Sequence, residues 1–131
     1  MEADEFFRVV NLRKSELRAA EFRLREGETG LSLFARLEEP NPAEVVEAVR
    51  MMGKRGNLLA AAIAAKQIRA LGLTIVSTKG GTASAEVNAI HFEARLPSLR
   101  RLFLRLRGKP PHEYFNESFS QRLCEIARVL E

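Results

Sequence analysis

Residues 57–71, NLLAAAIAAKQIRAL, are the most apolar stretch of the chain, and their reading decides the fold. Residues 58–65 are eight consecutive apolar positions, five of them alanine. Alanine is the best helix former because it loses no side-chain entropy. The polar Lys66, Gln67 and Arg69 come late, so most of the circumference of a helix here can be buried. Asn57 suits an N-cap and Gly72 a left-handed C-terminal residue. The stretch therefore predicts a buried alanine-rich helix. It is far shorter than the roughly 20 residues that span a bilayer.

Working outward, residues 42–52 are the best-signposted helix. Asn41 is a good cap, Pro42 takes the first helical position, Glu44 lies three residues past the cap, and Val45, Val46, Val49 and Met52 fall at helical spacing. Residues 53–56, GKRG, form a basic turn that lacks the spacing of a P-loop. Residues 6–10, FFRVV, and 31–37, LSLFARL, have strand character, joined by a thinly apolar helix after Asn11, a short strand at 22–24 and a GETG turn. After Gly72 the period changes to two, giving a strand at 73–78, a KGGT hairpin turn and a long return strand over 84–96. Leu99, Leu102, Phe103 and Leu106 then match the helical template and favour a helix, although Leu102, Leu104 and Leu106 also fit a strand. A stiff KPPHEYF loop leads to a closing helix capped by Asn116. The expected fold is one α+β domain over residues 1–131, a mostly antiparallel sheet packed around the alanine-rich helix with further helices on it.

The 131 residues carry a net charge of +4, distributed unevenly. Residues 1–50 hold 8 Lys/Arg and 11 Asp/Glu, a balance of −3, whereas residues 51–131 hold 13 and 6, a balance of +7. A polyanionic partner for the basic half follows, or attraction between the two halves within or between copies. One cysteine, Cys124, excludes an internal disulfide framework. The acidic start is not a secretory signal, so the expected location is cytoplasmic, with no membrane partner.

His91, His112 and Cys124 are too few strong ligands for a structural zinc site, so no metal is expected. HExxH, GxSxG and dinucleotide-binding glycine motifs are absent. The sharpest constellation is His91-x-Glu93-x-Arg95, which period two puts on one strand face about 7 Å apart. A histidine near its titration point beside a carboxylate suits acid–base work, and His91 and Glu93 are the catalytic candidates. The other constellation is basic: Arg95, Arg100, Arg101, Arg105, Arg107 and Lys109 lie within 15 residues, followed by His112, Tyr114 and Phe115. Arginine forks grip phosphates and such rings stack on unpaired bases, so nucleic acid or another polyanion is the leading expected partner.

Residues 6–35 also resemble the opening of small ADP-ribosyltransferase-fold proteins, through FFRVV, a short helix containing SEL at 15–17, and FRLREGETGLSLFA. The resemblance implies Arg8 as a nicotinamide-dinucleotide contact, Ser32 as the second-strand hydroxyl and Glu93 as the catalytic glutamate. It makes a toxin-like enzyme acting on a nicotinamide dinucleotide or RNA the second expectation, and no cofactor is expected outside it. The family's middle tyrosine has no counterpart, since Tyr114 is the sole tyrosine. A protein–protein module, with acidic and basic halves pairing between copies, is the third.

Overall fold

The computed structural model describes residues 3–130. Strands β1 (Glu5–Asn11), β2 (Leu31–Ala35), β3 (Leu58–Ala64), β4 (Thr74–Ser77), β5 (His91–Arg95) and β6 (Arg128–Leu130) form one sheet in the order β4-β5-β2-β1-β3-β6. Every neighbouring pair is antiparallel. Helices α1 (Pro42–Arg50), α2 (Ala65–Ala70), α3 (Ala85–Ala89), α4 (Ser98–Leu106) and α5 (Pro111–Ile126) and a 3-10 turn at Ala19–Phe22 pack on it. The architecture is α+β with an antiparallel sheet, as the sequence predicts.

The alanine-rich stretch takes a different role from the one its composition predicts. Residues Leu58–Ala64 are strand β3, and only Ala65–Ala70 is helical. β3 lies between β1 and β6, pairing with β1 from Glu5↔Ala64 to Asn11↔Leu58. Both of its faces are covered: Ala60, Ala61, Ala62 and Ile63 are all buried. A strand buried on both sides reads as a continuous apolar run, with no alternation to betray it. The helix preference of alanine amounts to less than about 0.7 kcal/mol per residue, and two ladders of hydrogen bonds with burial of both faces override it.

The register separates the faces. Phe7, Val9, Ala60, Ala62, Ser32, Phe34, His91 and Glu93 share one, and Phe6, Arg8, Val10, Ala61, Ile63, Leu33 and Phe92 the other. α1 covers the first, with Val45 fully buried. Its predicted capping box is present: Asn41 Oδ1 accepts from Glu44 N at 2.9 Å and Glu44 Oε1 from Asn41 N at 3.2 Å. α5 and the 3-10 turn cover the second. Ser120 Oγ donates to the Phe22 carbonyl at 2.8 Å, and the Asn116 amide pairs with both backbone groups of Leu24 at 2.7 and 2.9 Å. Asn116 therefore lies inside α5, which Pro111 starts, and is not its cap.

Three local expectations are corrected. No helix follows Asn11, because Lys14 and Ser15 take positive φ and close a tight turn bridged by Arg13 and Glu16. Residues 22–24 are not a strand, since Leu24 gives its backbone bonds to Asn116. The return strand is shorter than 84–96: Ser84 caps α3 by accepting from Val87 N at 3.2 Å, and β5 begins only at His91.

One seam in the sheet is short. β1 pairs with β3 over seven residues, but with β2 only at Phe6↔Ala35 and Phe7↔Phe34. Beyond Phe7 the two strands part.

Candidate active site

Arg8 occupies the parting of β1 and β2. Its Nε donates to the Glu21 carbonyl of the 3-10 turn and its Nη1 to the Ser32 carbonyl of β2 at 3.1 Å, so the guanidinium ties β1 to β2 and to the turn where the two strands do not pair. Glu21 is itself fixed, its Oε1 accepting from Asn11 N at 2.7 Å. Burial pushes the Arg8 guanidinium below its ordinary value, with Glu21 the main opposing influence.

Beside it opens a cavity of about 250 Å³ whose polar lining comprises Arg8, Ser32, Lys54, Thr82 and His91. Val9, Phe34, Val49 and Met52 supply apolar wall. Lys54 arrives from the turn after α1, with Nζ donating to the Val9 carbonyl at 3.1 Å. Its pKa is lowered, first by burial and then by the Arg8 charge. Two cations thus border one small cavity, each held in its charged form at a cost that an anion would offset.

The imidazole of His91 is clamped at both nitrogens. Nε2 is 2.6 Å from Ser32 Oγ and Nδ1 is 2.7 Å from Thr78 Oγ1. In the neutral ring one hydroxyl donates and the other accepts. Phe34 meets the ring edge-on, with centroids 5.2 Å apart. Burial lowers the His91 pKa against the raising influence of the Thr78 hydrogen bond and of Glu93, so the ring is neutral at pH 7. Gly80 lets the following loop come close: a Cβ there would lie 3.0 Å from the Asn88 Cα and 3.2 Å from the His91 Cβ.

Glu93 stands directly opposite Ser32 in the register, on the same sheet face as His91 but not among the residues that line the cavity. Its Oε1 accepts from Arg95 Nε at 2.9 Å and from Thr29 Oγ1 at 3.3 Å. Gly30 permits this contact, because a Cβ there would sit 2.9 Å from the Glu93 Cβ.

The cavity therefore brings together Ser32 and His91 from one sheet face and Arg8 from the other, whereas Glu93 shares the Ser32 and His91 face outside the lining. The basic constellation is dispersed by contrast. Arg95 is bound to Glu93, and Lys109 Nζ pairs with Glu117 at 2.8 Å. Arg100 lies over the Tyr114 ring at 5.5 Å, and Arg101 is half-buried and donates to Ser98 Oγ at 3.2 Å. Arg105 and Arg107 are exposed and make no ion pair among the described residues.

Sequence reasoning did not assign Lys54, Thr78 or Thr82 to the site. Lys54 was visible only as part of the basic GKRG turn, and the two threonines carry no signal of their own. Among the described residues no group of three or more His, Cys, Asp or Glu could hold a metal, and no helix is long and apolar enough to cross a membrane. Comparison of the chain with protein-family models, with curated proteins and with solved structures finds no match.

Proposed function

We propose that the protein is an enzyme that cleaves the nicotinamide–ribose bond of a nicotinamide dinucleotide, in the manner its resemblance to ADP-ribosyltransferase-fold proteins implies. One observation carries the reading. An arginine from β1, a hydroxyl from β2 and a histidine from β5, far apart in sequence, line one cleft, and the β5 glutamate lies opposite that hydroxyl in the register.

Arg8 and Lys54 are the groups for the diphosphate, one a planar fork and the other a point charge. A cavity of about 250 Å³ is smaller than most small-molecule sites, so one end of the dinucleotide enters and the remainder lies along the rim. As nicotinamide leaves with the bonding electron pair, positive charge grows at the anomeric carbon. The Glu93 carboxylate, opposite Ser32 in the register, stabilises that charge and orients the ribose hydroxyls. Neutral His91, with Thr78 holding Nδ1, takes the Ser32 hydroxyl proton at Nε2 as that hydroxyl takes the proton of the attacking acceptor or water.

The test is nicotinamide release by the purified chain from a millimolar dinucleotide, read by chromatography, with ligand binding read by thermal shift. Glu93→Gln is expected to abolish release and keep the thermal shift. Absence of both release and shift in the native chain overturns the proposal.

A second reading rests on Arg105 and Arg107, exposed together at the end of α4. Polyanion binding through them predicts saturable binding of single-stranded RNA or duplex DNA at about 50 mM salt that collapses by 200 mM. The Arg105→Glu/Arg107→Glu variant should lose it, and binding unchanged in that variant removes these arginines from the interface.

A further inference from the structure

The sequence groups Leu99, Leu102, Phe103 and Leu106 on one side of α4. The structure turns that stripe outward: the four are 66%, 52%, 52% and 75% exposed, and Leu104 is the buried residue of the helix. At about 100° per residue the four span an arc of roughly 100°, and Leu104 lies on the opposite side. At roughly 180 Å² per large apolar side chain the stripe presents on the order of 450 Å², as large as the patches that mark interaction sites.

Arginines flank the stripe, Arg100 and Arg107 beyond one edge and Arg105 beyond the other, with Arg101 further round toward the buried side. Next to the second edge is a notch of about 150 Å³ with Arg101, Arg105 and His112 in its wall and Glu28 as its one carboxylate. The Arg101 Nε is buried there without a hydrogen-bond partner.

We propose that α4 is the docking site for an acidic amphipathic helix of a protein partner. Its leucine-type side chains lie along Leu99, Leu102, Phe103 and Leu106, and its carboxylates meet the flanking arginines and the notch. An arc of about 100° with i, i+3, i+4, i+7 spacing is the width of one helix–helix seam. Charge selects the occupant. A two-fold pairing of α4 with a second copy would set arginine against arginine. The acidic helix of this chain, α1, turns its Val45 into the core, leaving only Met51 and Met52 as other exposed large apolar residues among those described. An anionic lipid surface fits less well, because a flat bilayer surface does not enter the notch in which the Arg101 Nε is buried. The inference is independent of the cleft between β1 and β2.

Two 15-residue helical peptides with the same leucine stripe, one flanked by glutamates and one by lysines, provide the test by fluorescence polarisation. The glutamate peptide is expected to bind saturably and at least ten-fold tighter than the lysine peptide. The Leu102→Ser/Leu106→Ser variant should weaken it at least thirty-fold, the scale of losing a hot spot. Because both leucines are exposed, that variant should melt within about 2 °C of the native chain, and a large fall would mean that the stripe is packed. Equal or absent binding of the two peptides overturns the proposal. So does binding to phosphatidylglycerol vesicles, or concentration-dependent dimerisation in light scattering, that the same variant removes.

Discussion

Replacing Arg8 by lysine keeps the charge and removes the fork, which isolates what the geometry contributes. The guanidinium holds the Glu21 and Ser32 carbonyls at once, across strands that have stopped pairing. A single ammonium on a four-carbon stem reaches one of them and leaves the other carbonyl unpartnered in a half-buried site. A hydrogen bond from a charged donor contributes roughly 1.5–3 kcal/mol, so the expected loss is about 2 kcal/mol. In a domain of this size that lowers Tm by about 8 °C. Calorimetry on the native and Arg8→Lys proteins measures the loss directly, and dinucleotide titration of the same samples measures the ligand-induced shift, which should fall with it. An Arg8→Lys variant that melts within about 2 °C of the native protein would refute the bridging role. One that melts normally but loses the ligand shift would show that Arg8 contacts ligand without tying the strands.

Three further outcomes are expected. Lys54→Met should leave Tm unchanged or higher, since burial and Arg8 both oppose the Lys54 charge, yet it should abolish stabilisation by a phosphate-bearing ligand in a thermal-shift assay. His91 has a lowered pKa, so below about pH 6.5 the unfolded chain takes up a proton that the native state resists. Stability should therefore be full above that pH and decline as pH falls through it, and urea denaturation at pH 7.5 and 5.5 should show a difference that His91→Gln reduces. Ala61→Leu inserts three carbons into a fully buried strand position and should cost about 1–3 kcal/mol by overpacking in the same denaturation assay. A neutral effect would argue against β3 as a strand covered on both faces.

What the sequence discloses about this molecule depends on how local each determinant is. The α1 cap is written in Asn41, Pro42 and Glu44, three neighbours whose bonds need nothing else. β3 escaped because its strand state comes from β1, β6 and the layers on either face, none of which its own alanines encode. α4 is a middle case. Periodicity groups Leu99, Leu102, Phe103 and Leu106 on one side but carries no information about which side faces inward. At the candidate site, alternation along β5 put His91 and Glu93 on one face, and the resemblance of residues 6–35 singled out Arg8 and Ser32. Lys54, Thr78 and Thr82 come from loops whose approach is set by the whole fold, so no spacing announces them.

The brief seam between β1 and β2 divides the sheet into two three-stranded jaws, β4-β5-β2 and β1-β3-β6, joined by two residue pairs, by Arg36 pairing with Glu5 through backbone and side chain, and by Arg8. Each jaw has its own ladders, and the join between them has fewer residue pairings than any other neighbouring pair of strands in the sheet. Ser32, His91 and Glu93 belong to one jaw and Arg8 to the other. A few degrees of rotation about the seam would therefore change the gap between the cation and the acid–base groups while leaving each jaw intact, which makes Arg8 both a latch and a gauge of what the jaws hold.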